Sequence, residues 1–200
     1  LADGAVLETG CVYIVPLQEQ LALPKGVAAA ANPKSSTGRL DIFTRVITDY
    51  AQEFDKVPEG YEGPLYAEIS PRTFPILVRE GSRLSQIRFR RGAPLASDAL
   101  IRELHAKEGL ISSGEVNIDN GLALCVDLST LEGDGPVGFR AKRHAGLIDV
   151  DRKAALDVLD YWEPIWQRGS LVLDPDQFYI LASKEAVRVP PAFAAEMVPF

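Results

Sequence analysis

Residues 57–75 read VPEGYEGPLYAEISPRTFP, a turn followed by a strand. Pro58, Gly60, Gly63 and Pro64 around Tyr61 supply the turn residues, and Pro64 to Ser70 then alternates in character. In a strand with period two, Tyr66, Glu68 and Ser70 share one face and Leu65, Ala67 and Ile69 the other. Glu68 therefore stands mid-strand among apolar neighbours. Glutamate is a poor strand former and is costly to bury unpaired, so the position calls for an ion-pair partner, sought among Arg79 to Arg91, or for a chemical task.

Upstream lies Asn32-Pro33-Lys34-Ser35-Ser36-Thr37-Gly38-Arg39, a polar loop between a strand at Val27 to Ala31 and the apolar Leu40, Ile42 and Phe43. Ser35 and Ser36 can cap a short helix whose free backbone N–H groups favour an anion, with Lys34 and Arg39 adding charge from either side. The same residues also make an ordinary capped surface helix. A Walker-type loop is excluded, because the glycine spacing and the Gly-Lys-Ser order are absent. Downstream, Gly81 to Phe89 alternates polar and apolar residues. Its arginines are read as surface or subunit-contact residues.

The whole chain suits this β-rich reading. Its 200 residues are 46% hydrophobic, enough for one or two packed cores, and 14 prolines and 16 glycines punctuate short apolar runs such as Val12 to Val15 and Leu171 to Leu173. A net charge of −7 argues against a surface built to grip nucleic acid, while leaving room for a local basic pocket. No stretch approaches the roughly 18 apolar residues that span a bilayer, and the opening LADGAVLETG has no signal-like block. Cys11 and Cys125, each in an apolar run, are expected to be buried free thiols in a reducing cytoplasm.

An internal repeat runs without insertion at an offset of 166 residues: Leu7 pairs with Leu173, Tyr13 with Tyr179, Ile14 with Ile180, Glu19 with Glu185, Pro24 with Pro190 and Pro33 with Pro199. Alternation alone does not require the tyrosine, glutamate and proline matches, so duplication is the better reading. Phe200 corresponds to Lys34 and Leu1 is not methionine, so the chain is expected to be cut at both ends. Between the copies, Ser97 to Glu108 reads as a helix capped by Ser97 or Asp98, with Leu100, Ile101 and Leu104 on one face and Gly109 ending it. The domain boundary is set at Gly92, Ala93 and Pro94. A second amphipathic helix is expected from Asp151 to Trp162, burying Ala155, Leu156, Leu159 and Trp162.

Lys34 to Arg39, followed by Val57 to Phe89, resembles the serine-serine phosphate motif and the long downstream motif of the dCTP deaminase and dUTP pyrophosphatase family, closest to its duplicated two-domain deaminases. The resemblance covers the first 92 residues. It continues more weakly through Ser97 to Ile111 and Asn120 to Leu128. It implies a mainly β fold of distorted, jelly-roll-like (dUTPase-like) domains in tandem with a few short helices: 1–92 as the C-terminal part of a first domain carrying the catalytic motifs, 96–200 as the N-terminal part of a second.

The implied activity is hydrolytic deamination of dCTP to dUTP. By residue-by-residue match, Glu68 is the general base, Ser35 and Arg39 orient water and stabilise charge, Lys34, Ser36 and Gly38 belong to the phosphate-binding loop, and Tyr61 packs on the sugar. Magnesium is implied to arrive with the triphosphate, and the protein to be a homo-oligomer, a trimer in the family. The zinc-dependent deaminase signature is missing: His105 falls in a predicted helix, His144 in a loop, and no cysteine pair exists. Three departures qualify the match. Lys34 replaces an arginine, extra residues occur around Tyr50 to Lys56, and no closing tail is identifiable. A dUTP pyrophosphatase would need an aspartate where Pro58 stands and an apolar residue in place of Glu68. A bifunctional enzyme making dUMP, or a nucleotide-binding or structural module without activity, stays open at this stage.

Overall fold

The computed structural model describes residues 3–92, 96–112, 116–129 and 133–198. Their elements are β1 (Ala5–Leu7), β2 (Tyr13–Ala22), β3 (Val27–Pro33), α1 (Ser35–Gly38), β4 (Ile42–Thr48), β5 (Lys56–Val57), β6 (Glu62–Pro71), β7 (Ile76–Val78), β8 (Ser85–Arg91), α2 (Asp98–Glu108), β9 (Gly138–Ala141), β10 (Ile148–Asp149), α3 (Val158–Tyr161), β11 (Trp162–Ile165) and β12 (Tyr179–Leu181). They form four three-stranded sheets, ordered β2-β6-β4, β5-β3-β8, β1-β7-β10 and β11-β9-β12. The fold is mainly β, as expected. No helix among the described residues is long and apolar enough to cross a membrane.

Two compact units divide the chain. One takes Leu1–Ala93, Phe139–Pro164 and Leu173–Ile180, the other Pro94–Gly138, Ile165–Val172 and Leu181–Phe200. The turn-and-strand stretch at residues 57–75 is the spine of the first unit. Its strand β6 lies between β2 and β4, and its alternation is realised as far as Ile69, with Leu65, Ala67 and Ile69 buried and Tyr66 and Glu68 less so, while Ser70, expected on the face of Tyr66 and Glu68, is buried. Below it, Leu7, Ile42, Ala67, Ile69, Phe74, Ile76, Leu84, Ala141, Ile148 and Trp162 form the main core. Phe74, fully buried, meets Tyr161 and Trp162 edge-on at centroid distances of 5.7 and 5.6 Å. Truncating such a side chain to alanine costs about 3–5 kcal/mol.

The second unit holds α2, whose Ser97 hydroxyl accepts from Leu100 N–H and whose left-handed Gly109 ends it, as the sequence predicts. His105 Nδ1 accepts from Leu110 N–H at 3.1 Å, finishing that end of the helix. The Asp98 carboxylate accepts from the N–H groups of Asn120 and Gly121, each at 3.0 Å.

Local hydrogen bonding recurs at the offset of the sequence repeat. Glu8 N–H donates to the Tyr13 hydroxyl at 3.0 Å, and Asp174 N–H to the Tyr179 hydroxyl at 3.2 Å. Between each pair the chain turns through a positive φ, 76° at Gly10 and 55° at Asp176. Pro24 O accepts from Val27 N–H at 3.1 Å, and Pro190 O from Phe193 N–H at 2.9 Å. Pro199 and Phe200, at the far end of the repeat, and Ala93 and Pro94, at the expected boundary, lie outside the described residues.

Four expectations are corrected. Residues 151–162 do not form one amphipathic helix: only Val158–Tyr161 is helical, because Ala154 takes φ 52° and the Asp157 side chain caps a new start at Leu159 N–H. Leu156 and Leu159 are exposed, and Trp162 is buried from the head of β11 instead. Leu171 to Leu173 is not a strand, and Val172 is 80% exposed. Cys11 and Cys125 are exposed, since both sit in irregular segments outside the strands. Arg79, among the arginines considered as a partner for Glu68, instead makes a two-pronged ion pair with Asp149, 2.8 Å on each side, which holds the Asp149 carboxyl below its usual range.

Candidate functional site

The polar loop becomes a single helical turn, α1, fixed from one side by the segment before β8. Lys34 N–H and the buried Thr37 hydroxyl both donate to Leu84 O, at 2.9 and 2.7 Å. The helix is capped differently from expectation: Lys34, not a serine, is the N-cap residue, and no side chain caps the turn. Its ammonium donates to Arg83 O at 2.9 Å. Ser35 and Ser36, both exposed, thus occupy the opening positions, where backbone N–H groups have no intrahelical acceptor. Gly38 and Arg39 are exposed at the other end of the turn.

A cavity of about 480 Å³ adjoins this turn, lined by Pro33, Gly38, Asp41, Ile42, Phe43 and Arg72. Asp41 enters it with φ 54° and accepts from the Thr73 hydroxyl at 2.6 Å. Burial pushes its carboxyl above the usual range, against the opposing effects of Thr73 and Arg72. Sequence reasoning missed Asp41 and Arg72. A non-glycine residue in the left-handed region has no signature beyond the tolerance of aspartate for it.

Glu68 is held quite differently. Its partner is Arg45, directly opposite on β4, with Nη2 donating to Oε1 at 2.7 Å; it is not one of Arg79 to Arg91. The Glu68 side chain is 14% exposed and that of Arg45 30%. The Arg45 guanidinium carbon lies 3.5 Å from the Phe54 ring centroid and 4.8 Å from that of Phe43. One signal for Arg45 was present in the sequence: in Phe43-Thr44-Arg45-Val46-Ile47-Thr48 the arginine falls on the half-open face, between the buried Thr44 and Val46.

Tyr61 lies apart from these residues. Its hydroxyl donates to Pro64 O at 2.5 Å and accepts from Asp49 N–H at 3.1 Å, while its ring packs on the buried cluster of Ala31, Val46 and Leu65. A Cβ on Gly63 would stand 2.8 Å from the Tyr61 hydroxyl, so this turn needs glycine there. The arrangement therefore brings Lys34, Ser35, Ser36, Gly38 and Arg39 together. It sets Glu68 three strand positions from Pro71, the partner of Ile42, or about 10 Å along β6. Among the described residues, Glu68 shares no hydrogen bond or ion pair with Ser35 or Arg39, and the cavity beside the turn takes in neither Glu68 nor Tyr61.

These three-stranded β-sheets, with an exposed helical turn at Ser35–Gly38 and a glutamate paired mid-strand, have a dUTPase-like fold. Known proteins agree. A family model for the 2'-deoxycytidine 5'-triphosphate deaminase N-terminal domain matches residues 1–93, and the model for the C-terminal domain matches residues 97–200. The chain belongs to the 2'-deoxycytidine 5'-triphosphate deaminase family. The crystal structure of 2'-deoxycytidine 5'-triphosphate deaminase from Agrobacterium tumefaciens is similar at a TM-score of 0.91 with 63% sequence identity; the match covers 96% of this chain and 56% of that one. No curated protein sequence matches.

Proposed function

We propose that this chain contributes to the hydrolytic deamination of dCTP to dUTP and ammonia, without zinc and with Glu68 as the general base. The observation that carries the reading is Glu68 itself: a nearly buried carboxylate, fixed mid-strand, with only Oε1 engaged by Arg45 among the described residues. Oε2 is left to take a proton from water as that water's oxygen bonds to carbon 4 of the cytosine ring. The tetrahedral intermediate then collapses. The proton held by Glu68 passes to the departing amine, the carbon–nitrogen bond breaks, and ammonia leaves.

Ser35 and Arg39 orient the water and stabilise charge at the ring, while Lys34, Ser36 and the open end of α1 receive phosphate oxygens. By the family match Tyr61 packs on the sugar through its ring, its hydroxyl being engaged by Pro64 O and Asp49 N–H. Magnesium enters coordinated by the triphosphate rather than by a protein cage. A dUTP pyrophosphatase is disfavoured because Pro58 offers no carboxylate at the start of the turn.

By family likeness the protein is a homo-oligomer, a trimer, in which subunits complete one another's sites. The family boundary between 93 and 97, together with the repeated tyrosine and proline turns, supports reading 1–92 and 96–200 as parts of two duplicated domains. Exposed Cys11 and Cys125 suit a reducing cytoplasm.

The test is ammonia release from dCTP by the intact protein with magnesium, before and after treatment with a zinc-selective chelator. Unchanged release supports the reading. Loss on zinc removal that is restored by zinc overturns it.

A further inference from the structure

We infer that Arg45 is a positioning residue for the Glu68 carboxylate, and that the segment Tyr50 to Lys56 serves to clamp it by laying Phe54 on its guanidinium. This rests on the reading of Glu68 as the base. An arginine set opposite a glutamate on a neighbouring strand has many rotamers open to it, and a one-nitrogen contact does not fix a carboxylate plane. Here the second constraint is aromatic. The guanidinium is 3.5 Å from the Phe54 centroid and 4.8 Å from that of Phe43, so stacking restricts it where hydrogen bonds do not. Arg45 Nε is buried with no hydrogen-bond partner, an arrangement that satisfying donors alone would not select.

The segment that delivers Phe54 is pinned next to Arg45. Asp55 N–H donates to Val46 O at 2.9 Å, its Oδ1 accepts from Val46 N–H at 2.8 Å, and its carbonyl accepts from Ala31 N–H at 2.8 Å. Tyr50 and Asp55 turn the chain through φ 58° and 61° at the two ends. Tyr50 is wholly exposed, so the segment buries little at its tip, and its firm contacts converge on the residue beside Arg45. Burial raises the Asp55 carboxyl above its usual range, opposed by Val46 N–H and by the Arg45 charge. The guanidinium thus holds Glu68 Oε1 in one direction and leaves Oε2 for water.

The experiment compares the intact parent protein with Glu68→Gln, Arg45→Ala, Arg45→Lys and Phe54→Ala, measuring ammonia release from dCTP and, as a folding control, thermal unfolding. Arg45→Ala is expected to lower kcat roughly ten- to hundredfold with KM within a few-fold of the parent. Millimolar guanidinium ion is expected to restore part of that kcat, while leaving Glu68→Gln unrescued. Arg45→Lys keeps the charge without the flat stacking face and falls between. Phe54 is 44% exposed, so Phe54→Ala tests the clamp with little risk to folding, and a fall of about threefold or more in kcat alone is expected. A folded Arg45→Ala with parental kcat, a loss confined to KM, no guanidinium rescue, or a Phe54→Ala with parental kcat would overturn the inference. Should Arg45→Ala not fold, Phe54→Ala decides. If the parent releases no ammonia, or Glu68→Gln keeps the parental rate, it is the reading of the base that fails instead.

Discussion

The turn at Lys34 to Arg39 and the strand position of Glu68 solve different problems with different materials. The turn is anchored by backbone through Leu84 O, and it leaves Ser35, Ser36, Gly38 and Arg39 exposed. Glu68 lies in the strand paired on both sides, by Ile14 and by Arg45, and is nearly buried. Phosphates are strongly hydrated and are met by backbone donors and cations that remain near water. A carboxylate that must take and return one proton needs a fixed, partly desolvated setting. Damage to the turn is therefore expected to appear mainly in binding, and damage at Glu68 in turnover.

Arg39→Ala gives the largest departure from that division, because the match places Arg39 at both the ring and the turn. Steady-state kinetics on dCTP are expected to show kcat/KM down by about a hundredfold, shared between kcat and KM. A change in KM alone would move Arg39 wholly into the phosphate group.

Lys34→Ala sharpens the contrast. Removing one charge-assisted contact is worth about 1.5–3 kcal/mol, so KM is expected to rise tenfold or more with kcat nearly unchanged. Calorimetric titration is expected to find dCTP bound far more tightly than deoxycytidine, with added salt narrowing the gap. Equal affinities would return residues 34–39 to an ordinary helical turn.

The smallest effect is expected at Asp41. Its carboxyl is raised in the fold, so the stability it contributes is full below the ordinary value near 3.9, about where an unfolded aspartate titrates, and is lost as pH rises through the folded value. Asn can keep φ 54° and still accept from Thr73. Asp41→Asn is therefore expected to raise the melting temperature by about a degree or two at pH 7 and by almost nothing near pH 3. A lower melting temperature at pH 7 would mean that the Asp41 charge is stabilising.

Much of this was legible because it is local. The alternation of residues 65–69 and the capped helix at Ser97 each lie within a few residues of sequence, and both match the structure. The repeat was legible because the turns of Tyr13 and Tyr179 are fixed by their own hydroxyls. The partner of Glu68 was not, because Arg45 meets it through strand register, 23 residues away, while Arg79 to Arg91 offered a denser choice. The helix expected at 151–162 failed at one left-handed residue, Ala154, where periodicity gives no warning. The cysteines were misplaced because apolar neighbours at Cys11 and Cys125 do not guarantee a strand to bury them.

The central claim is that Glu68 moves the proton while the turn holds the nucleotide, and Glu68→Gln separates the two. The measurement pairs calorimetric binding of dCTP with ammonia release by the same preparation of the intact protein. Binding is expected to stay within a few-fold of the parent while turnover falls by roughly 10²–10⁴-fold, because the amide keeps shape and hydrogen bonding but takes no proton. Deamination at more than a few per cent of the parental rate would contradict the account and leave Glu68 as the structural partner of Arg45.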